Sequence, residues 1–168
     1  MSVMADLKCA VIGCGNTNRS DDGVGPFVIN LLKLRPLPSY VTLYDGGTDG
    51  MGVMYQARNA SHLILIDARV PDNHPGAIFE VPGEILEAPP PQSYNLHDFR
   101  WDHALYAGRK IYGDAFPDFI KVILIEAERL DLGLSLSGKV KKSAQIVAEK
   151  IENFTRLDNR GEIAWVQS

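Results

Sequence analysis

The sequence predicts an α/β fold, a three-layer sandwich in which a mostly parallel twisted sheet of about five strands carries helices on both faces. Three observations lead there. Short, continuously apolar runs of strand length alternate with longer amphipathic runs. The first apolar run passes into its helix through a glycine-rich turn. Acidic residues then recur where the apolar runs end. With 168 residues, 45% of them hydrophobic and 23% charged, the chain matches an ordinary globular domain long enough to bury a core. Residues 1–154 read as one domain and residues 155–168 as a polar C-terminal tail that includes Trp165.

Each element has a local reason. Lys8 to Gly13, "KCAVIG", is apolar on both faces, as a strand inside a parallel sheet must be. Asp22 to Leu34 has helical spacing; Pro26 is tolerated in the first turn, and Pro36 and Pro38 close the segment. Tyr40 to Gly47 is a second strand, "MGVMYQAR" a second helix, and "HLILIDA" from His62 the strongest strand signal. "GAIFEVP" follows only the turn "PDNHPG", too short for a parallel crossover, so this strand is expected to be antiparallel to its predecessor or displaced in the sheet. A proline-rich loop containing Pro89, Pro90 and Pro91 leads to a helix from about Asp98 to Tyr112. "DFIKVILIEAE" is the last strand, and Ser137 is placed to cap the amphipathic final helix that runs to Phe154.

Composition excludes several classes. A net charge of −4 without a Lys/Arg block argues against nucleic acid. No apolar run reaches the ~20 residues of a membrane span. The opening "MSVMADLKCAVIG" lacks a signal-peptide layout. Cys9 and Cys14, the two cysteines, sit roughly 16 Å apart if both are on one extended segment, too far for a disulfide. A cytoplasmic protein is expected.

The glycine-rich turn "VIGCGNTNRSDDGVG" begins like a dinucleotide-binding loop. Gly13 and Gly15 fit, but the third glycine position holds Asn18, and Asp21 and Asp22 follow. Two further strands end in acid, at Asp45 and Asp67. In a parallel sheet these ends converge on the edge where ligands bind. Carboxylates gathered there repel and raise one another's pKa unless a cation or protons neutralise them, so the cluster is a candidate metal site. Taken singly, Asp22 fits a helix cap, and Asp45 and Asp67 fit turns; their co-location favours function. Among the histidines, His97 ends the long proline-rich loop and is placed to reach the sheet edge. His62 begins its strand at the opposite end, His74 lies in a turn, and His103 is expected on the surface. Carboxylates with one imidazole suit zinc, nickel or manganese.

These residues in this order resemble the hydrogenase maturation endopeptidase family, whose members remove a C-terminal extension from the large subunit of nickel–iron hydrogenases after nickel is installed. The resemblance rests on "GCGNTNRSDDGVG", "DGGTDGM", "LILIDA" and "NLHDFRWDHAL", and spans about residues 8 to 150. By motif position it implies Asp22, Asp67 and His97 as metal-binding residues and Asp45 in substrate handling. It further implies nickel supplied by the substrate, with zinc or cadmium as stand-ins in crystals, and a hydrogenase large-subunit precursor as partner. A monomer is compatible with this. Ala127 and Ser137-Gly138 depart from the family pattern near Pro and Pro-Glu, which bears on loop shape or target choice. Two rivals remain on motif grounds. A nucleotide-dependent α/β enzyme would use Asp45 for a ribose, but lacks its third glycine. A receiver-like signalling domain needs a Lys at the end of the last strand, where this chain has Glu126 and Glu128.

Overall fold

The structure is a computed structural model and describes residues 7–82 and 101–163. The order is β1 (Cys9–Cys14), α1 (Val24–Leu32), β2 (Val41–Gly47), α2 (Gly50–Ala57), β3 (His62–Arg69), β4 (Ile78–Pro82), α3 (Trp101–Tyr112), β5 (Phe119–Glu126) and α4 (Gly138–Phe154). Short 3₁₀ turns at Ser20–Gly23 and Gly113–Ala115 precede α1 and β5. The sheet has the order β2-β1-β3-β5-β4, with β1, β2, β3 and β5 parallel and β4 antiparallel to β5. The α/β expectation of about five mostly parallel strands is therefore met.

Strand residues alternate between two cores, as the pleat requires. Cys9 and Val11, Ile64 and Ile66, and Ile123 and Ile125 face one layer, with Val28, Ile29 and Leu32 of α1 and Val140, Val147 and Ile151 of α4. Ala10 and Ile12, Leu63 and Leu65, and Val122 and Leu124 face the other, with Val53 and Ala57 of α2 and Leu105 of α3. Both thiols are free and buried on opposite faces of β1.

The short β3–β4 connection hops past β5, so β4 is both displaced and reversed. α1 starts two residues later than its apolar pattern suggests, because Ser20–Gly23 winds as a 3₁₀ turn first. Part of the tail folds back. Leu157 bridges Ile163, whose side chain joins the α1/α4 core, and the Tyr40 hydroxyl donates to the Thr155 carbonyl. Trp165, the Pro89–Pro91 run and His97 lie outside the described residues. Among the described residues no helix is long and apolar enough to cross a membrane.

Candidate active site

The three parallel strand ends finish level. Gly13 of β1 pairs with Asp45 of β2 on one side and with Ile66 of β3 on the other, which sets Asp45 and Asp67 on either side of the turn that carries Asp22. That turn is tight. Gly15 has φ +130°, and a methyl group there would lie 1.8 Å from the Asp22 carbonyl oxygen.

The neighbouring acids Asp21 and Asp22 have separate tasks. Asp22 caps no helix: the residue capping α1 is Gly23, without a side-chain bond. Instead, Asp22 Oδ2 accepts the Asn16 amide at 2.8 Å, so the chain's own carboxylate takes the loop amide that a phosphate would occupy in a dinucleotide fold. An anion at this turn would also meet the Asp22 charge, which counts against the nucleotide reading.

Asp21 is fully buried and is bonded by the segment that follows β5. It accepts the Glu128 and Arg129 amides at 2.9 and 3.1 Å, the Ser137 amide at 2.7 Å and the Ser137 hydroxyl at 2.6 Å. Burial raises its carboxyl, but the Ser137 hydroxyl and the three amides outweigh that and hold it below the usual range. Ser137 thus stands at the α4 cap position, while its hydroxyl serves Asp21 rather than the helix. Ser20 adds a second tie. It sits at φ 51° with its amide on the Gly133 carbonyl and its hydroxyl on the Asp131 carbonyl, each at 2.8 Å. Asp21→Ala orphans three amides and a hydroxyl. The expected loss is about 3–5 kcal/mol of stability, or ~10 °C in thermal midpoint, checked by calorimetry.

Asp67, only 6% exposed, is the uncompensated group. Its Oδ1 accepts the adjacent Ala68 amide at 2.8 Å, and no Lys or Arg pairs with it among the described residues. Burial drives its pKa well above the usual range and the Asp22 charge adds to this, while the Ala68 amide offsets only part. Asp45 is exposed and accepts the Gly47 amide at 3.0 Å, a turn-forming bond. The buried Cys14 thiol feels both acids: burial raises its pKa most, then the charges of Asp67 and Asp45. Asp22, Asp45 and Asp67 therefore share one electrostatic neighbourhood.

The other residues sort plainly. His62 stacks on Phe119 with centroids 4.6 Å apart, at the far end of β3, and burial lowers its pKa. His74 is exposed as expected, whereas His103 on α3 is half-buried rather than on the surface. Among the described residues no three His, Cys, Asp or Glu side chains gather closely enough to hold a metal ion. Glu126, where a receiver would need its Lys, is buried and accepts the His74 amide at 2.5 Å. Sequence reasoning did not give Asp21 its role. Its two halves are 107 to 116 residues apart in the chain, and only the D-D doublet marked the place.

The molecule is a doubly covered α/β sheet with Asp22, Asp45 and Asp67 at one edge. The comparisons narrow this to one family. The sequence model described as hydrogenase maturation protease matches residues 26–154, and the chain belongs to that family. It is similar to the hydrogenase 2 maturation protease of Escherichia coli strain K12, 28% identical over 147 residues, covering 86% of this chain and 88% of the relative. It is also similar to the coenzyme F420 hydrogenase subunit delta of Methanothermobacter thermautotrophicus, 27% identical over 155 residues, covering 87% and 96%. Among solved structures, the hydrogenase maturating endopeptidase HybD from E. coli superposes with a TM-score of 0.74 at 28% identity, covering 86% of this chain and 90% of that one. The protein is a protease of hydrogenase maturation, and hence a hydrolase.

Proposed function

We propose that this protease removes the C-terminal extension of a nickel-loaded nickel–iron hydrogenase large-subunit precursor, in the cytoplasm and as a monomer, and that Asp22, Asp67 and His97 engage the nickel the precursor brings. The observation that carries the reading is Asp67. A carboxylate this buried, without a cation and beside a second acid, costs the free protein stability, and such frustration is the physical mark of a working site. A divalent metal ion held by the substrate supplies the missing positive charge. The acids then bind only a loaded precursor tightly, which couples nickel insertion to cleavage.

Held beside Asp22, Asp67 and His97, such a metal ion would supply polarisation of the scissile carbonyl or of a water. Asp45 remains in solvent at the same edge and is the carboxylate left to accept a proton once Asp22 and Asp67 are engaged. Asp22 has the geometry for its part. The Asn16 amide fixes Oδ2 and sets the carboxylate's direction without a helix cap competing for it.

The test follows the mass of the large-subunit precursor from the same cell, nickel-loaded and nickel-free, during incubation with the protease. Loss of a C-terminal peptide from the loaded form alone is expected. Asp22→Ala and His97→Ala should each slow it by at least about a hundredfold. Equal cleavage of the nickel-free form, or full activity of both variants, would remove the sensing role.

A further inference from the structure

The loop that Asp21 holds carries two leucines in open water. Leu132 is 80% exposed and Leu134 is 84% exposed. Single exposed leucines are ordinary on protein surfaces. These two differ in how they are held. Gly133 between them bridges Arg19 in parallel, its amide donating to the Asn18 carbonyl at 2.9 Å and its carbonyl accepting the Ser20 amide at 2.8 Å. Asp131 receives the Ser20 hydroxyl, and Leu130 receives Arg19 Nε at 3.2 Å. The backbone from Glu128 to Ser137 is thereby tied at both ends and in the middle to the segment 18–21, directly before Asp22.

Leu136 of this segment packs against the α1/α4 core, whereas Leu132 and Leu134, on the same tightly bonded backbone, return no packing to the fold. A fixed backbone lowers the ordering cost when a partner covers those side chains. The leucines are registered on the same turn as Asp22, so whatever seats on them is aligned with the site. Met51, in the first turn of α2, and Val70, just past β3, are further exposed apolar residues at this edge.

Resting on the reading that the site cleaves a hydrogenase large-subunit precursor, we infer that Leu132 and Leu134 form a docking point for the folded body of that precursor. They act as positioning residues and set target choice. The occupant is a folded protein because the scissile segment stays joined to one. A body held over the acids at the edge must abut the rim beside them, and on the α1 side that rim is this loop. The leucines call for an apolar cleft on the precursor flanking its metal site.

The experiment uses the full-length protease and the nickel-loaded precursor, with steady-state cleavage and binding by sedimentation velocity measured in parallel. The variant is the double substitution Leu132→Ser and Leu134→Ser. The control is Leu34→Ser, an equally bare leucine just past the far end of α1. The double variant should raise KM and weaken binding at least about tenfold, with kcat and thermal midpoint unchanged, while the control matches wild type. An unchanged KM, or a loss confined to kcat, overturns the inference and leaves the protease reading standing. Should wild type bind the precursor without cleaving it, while the double variant binds about tenfold more weakly, the cleavage reading fails and the docking point survives. Absence of binding by wild type, or equal binding by the variant, overturns the docking point as well.

Discussion

Gly25→Ala is expected to cost more than about 3 kcal/mol and to leave little folded protein. A methyl group at Gly25 would lie 2.2 Å from the Cys14 carbonyl oxygen, 2.5 Å from the Cys14 nitrogen and 2.7 Å from the Ile66 carbonyl oxygen. All three are backbone atoms of the two central strands, and none can move without opening the sheet. Gly13 repeats the constraint from the other side, since its methyl group would sit 2.3 Å from the Gly25 carbonyl oxygen. Backbone therefore packs on backbone where β1 ends and α1 begins, and that contact sets the distance between Asp22, three residues earlier, and Asp67, one residue past Ile66. Gly138→Ala is the control. No atom lies within 4 Å of a methyl group there, and the expected change is within about 0.5 kcal/mol. Urea unfolding of both variants decides the matter. A Gly25→Ala protein within about 1 kcal/mol of wild type would show that the strand ends can separate.

The same glycines show how far a sequence can be read. In "GCGNTNRSDDGVG" the glycines announce a close approach, and the sequence leaves open what approaches. The structure makes it the chain's own helix start rather than a ligand. The parallel order of β1, β3 and β5 was legible because runs such as "LILI" are apolar on both faces, which only a doubly covered strand requires. The convergence of acids was legible for a related reason: strand direction fixes which ends meet. Asp21 was not, because its neighbour Asp22 has the same chemistry and only partners more than a hundred residues away separate a structural carboxylate from one left at the edge. Ser137 misled in the same manner, since its cap position is local information and the destination of its hydroxyl is not. The tail read as polar, yet Ile163 enters the α1/α4 core, a single apolar residue being too sparse to register as a pattern.

Asp67→Asn is expected to make the protein more stable and to abolish cleavage, a pairing that an ordinary structural aspartate would not give. Burial and the Asp22 charge raise the folded-state pKa of Asp67, and both effects disfavour its ionised form. A group with a raised folded pKa contributes its full stability below the unfolded value, about 3.9 for Asp, and loses it as pH rises toward the folded value. Asn does not titrate, and its side-chain oxygen can still accept the Ala68 amide. The two proteins should therefore unfold at similar temperatures near pH 4, with the variant gaining as pH rises. At neutral pH the gain should be on the order of 0.5–2 kcal/mol, or a few degrees. Cleavage of nickel-loaded precursor by the variant should fall at least about a hundredfold, because a neutral amide cannot replace a carboxylate toward a divalent cation. Thermal unfolding between pH 4 and 8, run beside the cleavage assay, reads both halves. A variant less stable than wild type at neutral pH, or a difference independent of pH, would mean that the Asp67 charge is compensated in the free protein. The acids at this edge would then have no electrostatic reason to wait for a loaded substrate.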